Sequence, residues 1–265
     1  MRELGVDFAS VGSWFRAEQE SPYVLVRVAD EHAHAWANLM GLPIRRCYVA
    51  DSVLVANTER TGWSRTDLVS ARLPDPGSTM AGDFGEILVA LYQAAHESPM
   101  EVIDPKKWRL KQDRTKPAPF SDVVQFVVPA WPESSDQDRL LCSEVKTKST
   151  RGKSTPIIAA IADSKKDRVE RLSRTLVWLR ERALFEYLGT MTLAHLERFI
   201  ELTDHPPVRK EFRAVAVICT SLLADELASA PETQPQDYSV VVIAVPELKE
   251  CYEAAYREIL AAAEF

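Results

Sequence analysis

Three ionisable residues stand in two apolar, β-branched segments where unpaired charge is costly: Asp122 within residues 120–128, and Glu144 and Lys146 within residues 139–147. Glu144 and Lys146 are two apart, so on a strand they project from one face while Val145 points to the other. Two carboxylates beside an ammonium suit a divalent cation. Mg2+, with Mn2+ as the alternative, takes oxygen ligands and keeps waters, one of which can become the nucleophile in phosphate-ester chemistry. In that arrangement Asp122 and Glu144 hold the ion, and Lys146 positions the water and offsets phosphate charge. The competing reading is an ordinary ion pair on a strand face, Asp122 with Lys146 or Lys148. Glu86, further upstream, is either an additional acid of the same centre or a plain helix-surface acid.

The elements that would position these groups follow from periodicity. The two apolar segments are separated by residues 131–138, rich in turn formers, which makes them a candidate β-hairpin. A loop centred near Ser134 and Ser135 gives paired residue numbers that sum to about 269, setting Asp122 opposite the region 144–148. Asp122 joins the face of Glu144 and Lys146 only if the sum is even, and a loop this long leaves that open. Phe84, Ile87, Leu88 and Leu91 recur at i, i+3, i+4 and i+7 and predict a helix over 82–96, with Glu86 nearly opposite the stripe. Val89 and Ala90 beside it are apolar too, so this helix is expected to be covered on both sides. Val169, Leu172, Leu176, Leu179 and Ala183 predict a long amphipathic helix with Arg171, Arg174 and Arg182 off its apolar stripe, followed by a shorter helix over 193–202. Strands are expected at 23–28 and 47–55, with a helix over 30–40 between them. The end of the chain reads strand 214–219, helix 221–230, strand 239–245 and helix 247–263. Strands mixed with helices in this way indicate a layered α/β or α+β domain. Pro74-Asp75-Pro76-Gly77 is the best boundary, between an N-terminal α/β extension packed on the core (1–77) and the main domain (78–265).

Composition bounds the rest. With 265 residues, 46% hydrophobic and 27% charged, the chain holds enough apolar material for one large domain or two small ones, which excludes disorder. No apolar run approaches the ~18 residues of a membrane span, and acids stand where a signal peptide needs its apolar core, so a cytoplasmic protein is expected. Cys47, Cys142, Cys219 and Cys251 are too widely spaced for a CxxC motif and read as reduced, mostly buried thiols. His32 and His34 are two apart, which on a helix points them to different faces rather than to one metal. Trp108 lies among basic residues and reads as core more readily than as a base-stacking platform. A net charge of -7 argues at first against nucleic acid. The charge is segregated, however: residues 101–190 hold 18 Lys/Arg against 13 Asp/Glu, and the rest 14 against 26. One charge run is usually a solvated face. Three around one acidic constellation point to phosphate contact, with Lys106, Lys107, Arg109, Lys111, Arg114, Lys148, Arg151 and Lys153 as candidate DNA-binding residues. A third run comprises Lys165, Lys166, Arg168, Arg171 and Arg174. No Gly-rich phosphate loop is present, so an ATP-driven step would need a partner.

Asp122 followed some twenty residues later by Glu144-Val145-Lys146 resembles the acid and E-x-K signature of the PD-(D/E)XK nuclease superfamily, and Glu86 on the preceding helix matches that family's helical acid. The order helix, strand, strand, helix, strand matches as well. The resemblance covers residues 82–148 and departs at Ser121, where the superfamily name has proline. It implies an α/β fold, a mixed sheet flanked by helices with a restriction-endonuclease-like core carrying N-terminal and C-terminal additions. It further implies a Mg2+-dependent DNA endonuclease in which Glu86, Asp122, Glu144 and Lys146 form the catalytic set and Asp122 and Glu144 bind the metal. Gly85-Glu86-Ile87-Leu88, Trp108-Arg109-Leu110-Lys111 with Asp113-Arg114, Ser121-Asp122 and Ser143-Glu144-Val145-Lys146 are similar to the nuclease-subunit family of the Hachiman anti-phage defence system, HamA. That similarity implies a helicase partner that restrains the nuclease until DNA engages it. A reading of another class is a catalytically inactive nucleic-acid-binding or assembly subunit of the same fold.

Overall fold

Strands that are apolar on both sides need cover on both faces. The computed structural model, which describes residues 1–200 and 206–264, supplies it with helices above and below one mixed sheet. In chain order the elements are α1 (Phe8–Gly12), β1 (Phe15–Gln19), β2 (Val24–Val28), α2 (Asp30–Tyr48), α3 (Asp51–Thr61), α4 (Arg65–Ser70), α5 (Ser78–Glu97) and β3 (Val102–Ile103). There follow β4 (Val123–Val127), β5 (Arg139–Lys148), α6 (Pro156–Lys166), α7 (Leu172–Ala183), α8 (Leu193–Ile200), β6 (Arg209–Cys219), α9 (Leu223–Leu227), β7 (Ser239–Val245) and α10 (Leu248–Ala261). A 3₁₀ turn, Lys107–Leu110, precedes β4, and a π-helical turn, Asp167–Arg171, joins α6 to α7. The sheet runs β1-β2-β7-β6-β5-β4-β3. Its centre, β2, β7, β6 and β5, is parallel, and antiparallel strands close each side. The segment before Gly77 thus adds β1 and β2 to this one sheet. Among the described residues no helix is long and apolar enough to cross a membrane.

The hairpin of β4 and β5 divides its side chains by parity. Val123, Val127, Leu141 and Val145 join the core under α5, with Phe84, Ile87, Leu88 and Leu91. Val124, Phe126, Leu140 and Cys142 pack on the other side against Leu172, Leu176 and Leu179 of α7 and Leu196 and Phe199 of α8. A polar chain is buried on the α5 side: Ser143 Oγ donates to Gln93 Oε1, Gln93 Nε2 donates to Gln125 Oε1 (3.0 Å), and Gln125 Nε2 reaches both Asp104 Oδ2 (2.9 Å) and the Ala90 carbonyl (3.0 Å). A slip of β4 by one residue would strand these groups in an apolar layer. The observed pairs, Val123 with Ser143 and Val124 with Cys142, sum to 266. The sum is even.

Two expectations need correction. Residues 47–55 are not a strand; they are the end of α2 and the start of α3. The buried stripe of Trp36, Met40, Ile44 and Cys47 continues at helical spacing through Pro43, and Asp51, at the start of α3, takes Arg45 (2.5 Å) and Arg46 (2.9 Å). The helix predicted to begin at Val169 begins at Pro156, because Ile157, Ala160 and Ser164 bury a face that joins α6 to the same rod. The predicted helix over 193–202 is seen as α8 to Ile200, and its last two residues lie outside the described residues. Strand β1 carries no β-branched pattern and was not anticipated.

Helix α5 can lie close on β5 because Gly85 has no side chain: a Cβ there would run into Thr147 Oγ1. Gly85→Ala should therefore destabilise the chain by about 1–3 kcal/mol, and Gly85→Ala with Thr147→Ala should recover part of that loss. Urea unfolding of the two variants checks it.

Candidate active site

With the even register, Asp122 directly precedes the first pair of β4, Val123 with Ser143, and stands opposite Glu144, on the face that also carries Lys146. Its Oδ2 accepts the main-chain N–H of Val145 at 2.8 Å. Glu144 Oε1 accepts from Lys146 Nζ at 2.6 Å, and Oε2 accepts from Arg171 Nη1 at 2.5 Å. Lys146 is held on its other side by Asp163 Oδ2 at 2.9 Å. Ala214 and Ala216, the β6 partners of Glu144 and Lys146, put only methyl groups beside them.

Ser121 ties three elements to this corner. Its N–H donates to Thr175 Oγ1 (3.2 Å), its Oγ donates to Asp167 Oδ1 (2.8 Å), and its carbonyl accepts from Lys107 Nζ. A proline at 121 could not donate the first of these bonds. Ser121 is thus built into the contact between β4 and the π turn.

Electrostatics follows burial. Asp122 is pushed up to about 7 by burial and by the neighbouring Glu144 charge, against the pull of Val145 N–H, Lys107 and Lys146. Asp167 is pushed up to about 6 by burial, with Ser121 opposing and Glu144 within hydrogen-bonding reach adding to the rise. For Lys146, burial disfavours the charge, but Glu144 and Asp163 outweigh it and hold the ammonium protonated well above the usual range. Glu86 is held well above the usual carboxylate range by burial and then by Asp122 and Asp83. Burial pulls Lys107 down, opposed by Glu86 and Asp122.

The structure brings Asp122, Glu144 and Lys146 together. Glu86 is buried on α5, its Oε2 accepts from Trp108 Nε1 at 3.0 Å, and it lies near enough to Asp122 for the two charges to oppose each other. It is not a surface acid. Trp108 is core, as expected, and all four cysteines are buried free thiols. The basic set needs correction. Lys106, Lys107, Arg109, Lys111 and Lys148 are buried. Lys106 faces Asp104 and Glu3, Arg109 faces Glu3, Lys111 pairs with Asp83 at 2.8 Å, and Lys148 pairs with Glu226 at 2.5 Å. Internal carboxylates take up four of these charges and the Ser121 carbonyl accepts from Lys107, so these residues do not present a phosphate-binding surface. Arg114 is partly exposed and pairs with Asp75, whereas Arg151 and Lys153 lie exposed after β5. Lys165, Lys166 and Arg174 are exposed on α6 and α7.

Sequence reasoning missed Asp163 and Asp167 and read Arg171 as part of a basic run, off the apolar stripe of its helix. Their spacing, four and four, was the available signal: it lines one side of a helix. Among the described residues no three His, Cys, Asp or Glu side chains are gathered so as to hold a metal ion unaided. Two opposed carboxylates nevertheless fit Mg2+, which commonly takes one or two from the protein and fills its remaining positions with water and substrate oxygens. Burial and the Glu144 charge both disfavour the charged form of Asp122, and a divalent ion would oppose both.

A protein-family model described as HamA matches residues 15–259, a span that contains every residue of this centre. Comparison with curated proteins finds no match.

The pKa of Asp122 has a consequence for stability. Between about pH 4 and pH 7 the unfolded chain has lost this proton while the native chain keeps it, so the group makes stability fall as pH rises and leaves it flat above that window. Asp122→Asn, whose amide oxygen can still accept from Val145, should unfold at higher urea than wild type near about pH 8, with a smaller gap near about pH 5. A gap that does not grow with pH contradicts the assignment.

Proposed function

The chain belongs to the HamA family, and on that footing we propose that it is a metal-dependent DNA endonuclease, the effector subunit of an anti-phage defence complex that works with a helicase. The observation that carries the reading is the pairing of Asp122 with Glu144 on one face, with Lys146 beside them. Asp122 and Glu144 would hold the ion. When bound, Mg2+ (or Mn2+) supplies an acidified water and a charge that polarises the phosphodiester. Lys146, whose charged form Glu144 and Asp163 favour, would act as a donor and counter-charge to the phosphate and position the attacking water. Glu86, hydrogen-bonded to Trp108, braces α5 and the 3₁₀ turn behind Asp122. DNA would approach over Arg151 and Lys153 and along Lys165, Lys166 and Arg174, the exposed cations around this corner.

A second reading has one observation in its favour: both Glu144 oxygens are engaged by cations of the chain itself, as they would be in a subunit that keeps the fold and cuts nothing. Plasmid cleavage separates the two. The nuclease reading expects Mg2+-dependent cleavage that EDTA stops, in the presence of a partner helicase if not alone. Glu144→Ala and Lys146→Ala should lower the rate by at least about 10²-fold with the fold retained. Wild-type rates in both variants, or no cleavage under any of these conditions, give the binding-subunit reading its place.

A further inference from the structure

Glu144 has more positive partners than a metal ligand can keep. Lys146 Nζ sits on Oε1 at 2.6 Å and Arg171 Nη1 on Oε2 at 2.5 Å, and a divalent cation requires at least one of those oxygens. Lys146 is anchored from its other side by Asp163 at 2.9 Å. The second acceptor of Lys146 is already engaged and holds it in place, whereas that of Arg171 stands just beyond hydrogen-bonding distance. The same Nη1 lies 3.6 Å from Asp167 Oδ1, four residues back along the helix.

The Asp167 carboxylate is fixed and half used. It is 2% exposed, its Oδ1 accepts from Ser121 Oγ at 2.8 Å, and its Oδ2 is buried with no hydrogen-bond partner among the described residues. A buried carboxylate oxygen left unpaired is costly, and in a native fold it calls for an explanation. Asp167 and Arg171 are the first and last residues of the π turn between α6 and α7. Single π turns inside α-helices recur at functional sites, where the widened backbone re-aims a side chain.

We propose that Arg171 is a positioning residue that neutralises Glu144 in the metal-free chain and transfers to Asp167 Oδ2 when a divalent cation takes Glu144. The pair then sets how tightly the centre binds its ion. The exchange replaces one ion pair with another, so the entering cation does not leave a half-buried guanidinium without a carboxylate. This inference rests on the metal-dependent reading above.

The test is Mn2+ binding to the full chain without DNA, followed by titration calorimetry, with thermal unfolding in EDTA as the check on folding. Wild type should bind, and Glu144→Gln should abolish binding. Arg171→Met, which keeps the aliphatic stem but removes the competing charge, should bind about tenfold more tightly than wild type. Asp167→Asn, which removes the receiving carboxylate, should bind about tenfold more weakly. In the double variant Asp167→Asn should make almost no difference, because no guanidinium remains to be received. The proposal is overturned if Arg171→Met binds no more tightly than wild type, or if the Asp167→Asn penalty persists in the double variant, as it would for a direct ligand. Either result leaves wild-type binding, and with it the metal-dependent reading, intact. Equal binding by wild type and Glu144→Gln, or none by wild type, overturns that reading and this proposal together.

Discussion

The site depends on one constraint, the register of β4 against β5. Only an even pairing sum puts Asp122 on the face of Glu144, and the hairpin loop is too long to impose that parity. Parity is imposed from the opposite face. Gln93, Gln125, Ser143 and Asp104 form a buried hydrogen-bond chain whose members satisfy one another only in this alignment. The chemistry on one side of the hairpin is thus held in place by a polar network on the other side that touches none of its residues. Gly85 completes the arrangement by letting α5, which carries Gln93, lie directly on β5.

Charge is managed inside the molecule rather than displayed on it. Asp83, Asp104, Asp138 and Glu226 are buried, and each is met by a buried cation: Lys111, Lys106, Arg198 and Lys148. Pairs of this kind contribute little net stability but are costly to break, so they favour one arrangement over its neighbours. The corner around Asp122 differs in that burial, with the Glu144 charge adding to it, raises Asp122 and Asp167 although cations stand nearby.

The legible and illegible parts of this site divide along physical lines. Glu144 and Lys146 were readable because a strand has a period of two, whatever surrounds it. The apolar stripe of α5 was readable for the same kind of local reason. The fate of the basic residues was not: Lys111 finds Asp83 28 residues away in sequence, and nothing local distinguishes it from a lysine facing water. Residues 47–55 misled because β-branched composition outweighed a helical stripe interrupted by Pro43, which the packing of α2 tolerates. Asp167 was passed over, and Arg171 taken for a solvated cation, because their partners Ser121 and Glu144 lie 46 and 27 residues away in sequence.

The two edges of the sheet bear on how this chain can be met by another. Strand β3 is only two residues long, and β1 is irregular between Ala17 and Gln19, with Arg16 and Glu18 exposed along it. Short, bulged and charged edges offer a poor template for an incoming strand. Main-chain pairing, the least selective way for two proteins to join, is therefore disfavoured at both ends of the sheet. Recognition falls instead to side chains on helices and loops, where a change of one residue can alter the choice of companion without disturbing the sheet beneath.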